Sequence, residues 1–217
     1  MTWDWAFALD ILPTLLYAFV KYTLVATILG SLLGAVLGLV FAIIRRAGMP
    51  VLAPLIHAFI EFIRSTPLLV QLFFLFYVLP FAGLTLSPLT TGVIGLGVHY
   101  ACYYSEVYRA GIDGVPKGQW EAARALSLPS RYTWQHVVLP QAVRNVLPAL
   151  GNYGISMFKE TPFLALITVP EMVQRAQSIG AIHFRYVEPI TLAGLIFLAA
   201  SYPTAVLLRR LEMRLGH

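Results

Sequence analysis

Charge in this chain is confined to narrow bands between long apolar runs. No Asp, Glu, Lys or Arg occurs from Tyr22 to Ile44 or from Ile190 to Leu208. Each run supplies the ~20 apolar residues that a helix needs to cross a hydrocarbon core. Leu89–Tyr108 reads as a further span, carrying Glu106 near its end. Ser65–Leu79 is too short alone, so its helix is expected to begin near Leu55 and to carry Glu61 and Arg64, with Pro67 kinking it just beyond. Asn145–Phe158 is also too short to cross. It is followed by Lys159-Glu160-Thr161-Pro162 and then by apolar Phe163–Val169. The pattern predicts one span broken near its middle, a break tolerated at depth only where the freed backbone is buried or lines a polar cavity. Pro80, Gly83 and Pro88 mark a short loop, and Pro170–Glu188 a longer polar one. The expectation is an all-α membrane protein with five transmembrane helices and one domain over residues 1–217.

The longest polar interruption is Lys117–Pro140. A helix from Gln119 to Ser127 would put Trp120, Ala123 and Ala125–Leu126 broadly on one side, with Glu121 and Arg124 opposite. Pro129 stops it, because proline lacks an N–H and clashes with the preceding turn. A second short helix, Tyr132–Val138, is expected to end before Pro140. Two readings are open for this pair: a connector lying on lipid headgroups, or a docking element for a cytoplasmic protein.

Charge then orients the chain. Asp4 and Asp10, with Trp3 and Trp5, precede the first span, and Arg45–Arg46 follow it directly. Arg124, Arg131 and the cluster Arg209, Arg210 and Arg214 fall on the same side if all five spans cross. Basic residues gather on the cytoplasmic side, so the N-terminus is expected outside and the C-terminus inside a plasma (inner) membrane. The N-terminus lacks the basic region of a cleavable signal, so the first span is expected to be retained. Ala26, Gly30, Gly34, Gly38 and Ala42 recur every four residues, a stripe that admits a close helix neighbour either within the subunit or across a subunit interface.

Composition agrees with this class. Of 217 residues, 59% are hydrophobic and 12% charged, with a mean hydropathy of +0.76; a soluble domain is about a quarter charged. The net charge of +5 has no aromatic-interleaved basic patch behind it, so nucleic acid is not an expected partner. Cys102 is the lone cysteine and is read as a packing residue. His57, His99, His136, His183 and His217 are not paired at ligand spacing, so no metal site is expected. There is no phosphate-binding G-x-x-x-x-G-K-[ST] loop, H-E-x-x-H or G-x-S-x-G, which argues against an enzyme.

Several strings resemble one family. Glu121-Ala122-Ala123 and, further on, Val138-Leu139-Pro140 resemble the EAA loop of binding-protein-dependent ABC importer permeases, with Ser127 where the family has Gly. Arg64-Ser-Thr-Pro-Leu-Leu-Val-Gln71 resembles the R-G-T-P-L-L-V-Q signature of its polar-amino-acid branch. Glu106-Val-Tyr-Arg109 is similar to the family's re-entry segment, and Lys159–Phe163 to its K-D-T-S-L motif, with Glu160 for Asp and Pro162–Phe163 for Ser–Leu. The resemblance implies the type I permease fold and a docking loop in which Gln119, Glu121, Ala122, Ala123, Leu126 and Ser127 meet the ATPase. Apart from the resemblance, Glu61, Arg64, Gln71, Glu106, Lys159, Glu160 and Thr161 are candidates to line the translocation route. The alternative is that Glu61–Arg64 and Glu106–Arg109 are structural pairs and that Lys159 and Glu160 only fix the broken helix. The resemblance further implies a nucleotide-binding ATPase subunit dimer as partner, with ATP and Mg on that partner and no cofactor bound by this chain. A second permease subunit is implied (a heterodimer favoured, a homodimer possible), with an extracytoplasmic solute-binding protein and membrane lipid around them. For the solute, RSTPLLVQLFFLFYVLP, VHYACYYSEVYRAGIDGVPKGQWEAARAL and MFKETPFLALITV resemble permeases of importers for ectoine and hydroxyectoine, which are zwitterionic compatible solutes. A polar amino acid such as Glu, Gln, Arg or His remains open. So does a different class, an ion-coupled transporter or channel.

Overall fold

A computed structural model describes residues 3–215, and His217 lies outside them. Its first element is longer than the expected span, because Trp5 to Arg46 forms one continuous helical rod of 42 residues. At 1.5 Å per residue it is about 63 Å long, twice a hydrocarbon core. Helix α1 (Trp5–Ala18) starts where the Asp4 carboxylate accepts the Ala6 and Phe7 N–H groups at 3.0 and 3.2 Å, an N-cap that satisfies two of the otherwise orphaned donors. A π-helical turn, Phe19–Leu24, joins it to α2 (Val25–Arg46).

The small-residue stripe resolves as intrasubunit packing. Ala26, Gly30, Gly34, Gly38 and Ala42 are all buried, facing α5 (Pro88–Asp113), which runs parallel to α2. At Gly38 the backbones touch: a Cβ there would lie 2.8 Å from the Ala101 carbonyl oxygen and 3.1 Å from the Ser105 amide nitrogen. Only glycine permits that approach.

The second span is a corner rather than the expected kink. Helix α3 (Leu52–Arg64) and the following segment Leu68–Ala82, which begins with α4 (Leu68–Phe73), meet at 105°. Pro67 disfavours helical geometry in the residue before it and is itself extended (φ −63°, ψ 136°), so the chain leaves the helix at this point. The carbonyls freed there are satisfied by side chains. Gln71 Nε2 donates to Ile63 O at 2.7 Å and Thr66 O at 3.1 Å, and the Thr66 hydroxyl donates to Phe62 O at 3.1 Å.

After α5 come α6 (Lys117–Ala125), α7 (Ser130–Tyr132) and α8 (Leu139–Glu160). The expected stop before Pro140 does not occur. A π-helical turn, Thr133–Val138, carries α7 into α8 without a break, and Pro140 falls within the first two residues of α8. A wide turn re-registers the carbonyls just where proline has no N–H to offer. A 3-10 segment, Thr161–Ile167, follows α8. The stretch Pro170–Glu188, expected as an outer polar loop, contains a helix, α9 (Met172–His183), capped by Glu171 through the Val173 and Gln174 N–H groups at 2.9 and 2.6 Å. Helix α10 (Val187–Leu215) completes the chain.

Two helices, Trp5–Arg46 and Val187–Arg214, are both long and apolar enough to cross a membrane, and the bent pair at the corner makes a third candidate. Helices α5 and α8 reach the length, with 26 and 22 residues, but are more polar because they form the interior. Tyr100, Tyr104, Met157 and Leu164 from these two helices and the segment after α8 are buried in the main apolar cluster.

At one end of the bundle the start of α1 is clasped to the start of α10. Arg185 donates to Asp4 Oδ2 at 3.1 Å and pairs with Glu188, whose carboxylate also accepts the Asp4 N–H at 3.2 Å. The Phe7 N–H and then the Arg185 guanidinium hold the Asp4 carboxyl below its usual value.

Candidate docking elbow and translocation route

At the end of the bundle that holds Arg45 and Arg46, α6 and α7 form an elbow. Its joint turns on Ser127, which adopts the left-handed conformation (φ 51°) that non-glycine residues enter at a cost of about 1–2 kcal/mol. The Leu128 N–H closes the turn on Ala123 O at 3.0 Å and the Ser127 N–H on Arg124 O at 2.9 Å. These bonds satisfy carbonyls at the helix end. This explains the glycine of the similar motif and shows serine making the same turn. Between the arms lies an open groove of about 550 Å³, lined among others by Lys117, Trp120, Arg124, Thr133 and Trp134.

The expected docking residues divide into two sets. Gln119, Glu121 and Ala122 are exposed, and Leu126 is 71% exposed although large and apolar. Ala123 is only 4% exposed and lines the groove with Thr133 and Trp134. It therefore faces its own chain. Leu126 was expected beside Ala123 on one face; instead α6 ends at Ala125, and Leu126 turns outward at the cap.

The elbow is tied to the helix ends above it by contacts that sequence spacing does not reveal. Trp120 and Trp134 meet edge to face with ring centroids 5.3 Å apart. The Arg46 guanidinium lies 5.8 and 5.2 Å from those two rings and donates to Asp113 at 3.1 Å. Asp113 also pairs with Arg109 at 3.5 Å, Arg109 with Glu106 at 2.6 Å, and Glu106 with Arg45. Of these links only those among Glu106, Arg109 and Asp113 follow from helical spacing. The adjacent tryptophan-bearing arms and the terminal arginines of α2 were the available signal.

The route candidates are not all brought together. Glu160 accepts the Tyr100 hydroxyl at 2.8 Å. Tyr100 stands midway along α5, so Glu160, at the end of α8, lies level with the middle of that helix. Thr161 is fully buried, its hydroxyl bonded to Phe158 O at 2.7 Å, whereas Lys159 is exposed. None of the four ionic partners weighed from the sequence, Glu61, Arg64, Glu106 or Arg109, reaches Lys159 or Glu160 among the described residues. Glu61 pairs with Arg64 at 3.5 Å near the corner, and the Arg64 guanidinium sits 5.4 Å from the Tyr103 ring. A run of aromatic contacts links the two groups, Tyr103 to Tyr153 at 5.4 Å and Tyr153 to Tyr100 at 6.2 Å. Gln71 braces the corner and bonds His99 Nδ1 at 3.0 Å. Glu106 belongs to the network at the elbow. No group of three metal-ligating side chains occurs among the described residues.

Residues 30–217 match the family described as binding-protein-dependent transport system inner membrane component. The chain is 44% identical over 219 residues to the probable amino-acid ABC transporter permease protein y4tG of Sinorhizobium fredii, covering 99% of this chain and 94% of that one. It is 34% identical to the glutamine transport system permease protein GlnP of Escherichia coli, over 99% of both. Among solved structures it is similar to one described as an amino acid ABC transporter with histidines, with a TM-score of 0.92 and 33% identity over 99% of this chain and 100% of that one.

Proposed function

Because the chain belongs to the family of binding-protein-dependent transport system inner membrane components, we propose that it forms the membrane-spanning pathway of an ATP-driven importer for a polar amino acid. Its architecture is the all-helical type I importer-permease fold. It is a transport subunit and not an enzyme; ATP hydrolysis belongs to a separate ATPase subunit. The observation that carries the proposal is the elbow. A short helix with an exposed Gln119–Glu121–Ala122–Leu126 edge projects from the end of the bundle that also holds Arg45 and Arg46. In this reading Leu126, 71% exposed and next to the exposed Ala125, is buried in a groove of the ATPase. Closure of two ATPase subunits on ATP would draw two such elbows together and open the pathway outward to a solute-binding protein. A second permease subunit completes the pathway in this reading, with a different chain favoured over a second copy.

The solute class rests on the relatives, whose names point to amino acids. The band from Arg64 through Tyr103, Tyr153 and Tyr100 to Glu160 suits a zwitterion, since it offers a cation at one end, a carboxylate at the other and aromatic faces between. Ectoine is a zwitterion as well, and its assignment stands only on the resemblance of three strings. The test is to co-express the chain with the ATPase, binding protein and any second permease encoded beside it, then measure ATP-dependent uptake of glutamine, arginine, cystine and ectoine into proteoliposomes. Uptake of an amino acid above ectoine supports the reading. Solute flux without the ATPase, driven by an ion gradient, sinks it.

A further inference from the structure

The Arg46–Asp113 pair above the elbow is partly exposed, at 39% and 51%, but two tryptophan rings flank its guanidinium. Arg46 is the last residue of α2 and Asp113 the last of α5. Trp120 belongs to one arm of the elbow and Trp134 to the other. Four elements thus converge on one guanidinium, with a carboxylate at its edge and two indoles on it. Arginine is suited to this, since its planar group bonds in its own plane and stacks on aromatic faces at once.

The chain beneath the clasp is hinged on both sides of α6. Gly114–Val115–Pro116 connects it to α5, and Leu126–Pro129 to α7, with Ser127 left-handed. Without a tie, movement of α6 would be taken up in those joints. Below the guanidinium, Val115, Val138 and Ala142 are buried with Ile112 and both indoles packed on them, so the inner side of the elbow is already a small apolar core. Arg46, from the end of α2, reaches the two indoles of that core.

We propose that Arg46 is a positioning residue that clamps the docking elbow to the inner ends of α2 and α5, so that elbow and helix pair move as one body. This rests on the docking reading for its use in transport, but the clamp itself is a property of this chain. Spin labels placed at Gly118 on α6, where an added side chain meets nothing within 4 Å, and at Ile43 on α2, in a Cys102→Ser background, report the distance across it. The measurement is made first on the permease alone in lipid, then on the assembled complex with and without ATP. A single narrow distance, the same in all three states, is expected for the native residue.

In Arg46→Ala the peak should lose its narrow form and, in the complex, shift on ATP addition, while transport per ATP hydrolysed falls. Arg46→Lys keeps the positive charge that orients the first span but not the flat stacking, so it separates a clamp from a topology effect and should also broaden. Unchanged width in both variants overturns the proposal, as does an ATP-dependent distance with Arg46 intact. If no ATPase assembles with the chain, the docking reading fails, yet the comparison in the permease alone still decides the clamp.

Discussion

Replacing Gly38 with alanine tests whether the α2–α5 contact is the rigid part of this fold. The added Cβ would sit 2.8 Å from the Ala101 carbonyl oxygen, 2.8 Å from Tyr104 Cβ and 3.1 Å from the Ser105 nitrogen. Non-bonded carbon atoms are comfortable at 3.5–4.0 Å, so the helices must part by roughly 1 Å. The obstructing atoms are backbone or the first side-chain carbon, and no rotamer change moves them. Overpacking of a tight core costs about 1–3 kcal/mol, while alanine returns about 1 kcal/mol of helix propensity. Two backbone-level clashes place the net at about 2 kcal/mol of destabilisation. For a chain of this size each kcal/mol shifts the melting temperature by about 2–4 °C, so a drop of about 4–8 °C is expected. Gly154→Ala is the internal comparison, because nothing lies within 4 Å of its added Cβ. It should hold the melting point or raise it, by up to about 1 kcal/mol. Cys102 is the only cysteine and is fully buried, so a thiol-reactive fluorophore reads unfolding directly. A Gly38→Ala protein that melts with the native chain, or above it, refutes the backbone-contact argument.

Other outcomes follow from single residues. Burial raises the Glu171 carboxyl from 4.5 to about 7, outweighing its hydrogen bonds from the Val173 and Gln174 N–H groups. The folded state then holds a proton that the unfolded state has released. Stability should be greatest below pH 4.5 and fall as pH rises toward 7, by up to about 3 kcal/mol at 1.36 kcal/mol per pKa unit; Glu171→Gln should flatten that dependence in thiol-reactivity melts. Leu126→Glu should abolish co-purification of the ATPase without moving the melting temperature, whereas Ala123→Glu, set against Trp134, should expose 117–140 to protease before any docking is assayed. Glu160→Gln keeps an acceptor for Tyr100 and should alter solute uptake with ATP hydrolysis intact. Tyr100→Phe removes a bond to a carboxylate worth about 1.5–3 kcal/mol and should lower stability.

Much of the frame was legible because local rules govern it. The apolar runs, the arginine bands, the four-residue stripe and the pairs Glu61–Arg64 and Glu106–Arg109 depend on spacing along one helix. The end of α8 at Glu160 followed from charge placed where a span cannot hold it. Other features depend on partners distant in sequence. Pro140 was read as a stop because proline ends isolated helices, but a π-turn offset the missing N–H. Pro67 was read as a kink, and the corner became sharper because Gln71 and Thr66 satisfy the carbonyls that a straight helix would bond. Glu106 finds Arg45 sixty-one positions away, and Arg46 finds two indoles. No periodicity announces such meetings.

The rod from Trp5 to Arg46 places the Asp4–Arg185–Glu188 clasp and the Arg46 clasp on a single piece of covalent chain. The phase between its ends is set by the wide turn at Phe19–Leu24. Thr23, fully buried in that turn, accepts the Met172 N–H at 3.4 Å, which registers the start of α9 against it. Winding the same residues as plain α-helix would turn everything outside the wide turn by roughly a quarter turn, because an α-helical residue advances by about 100° and a residue in an i→i+5 turn by less. Asp4 would then turn away from Arg185 while Arg46 stayed where it is. The chain thus keeps an adjustable angular offset between its two faces, written in one wide turn.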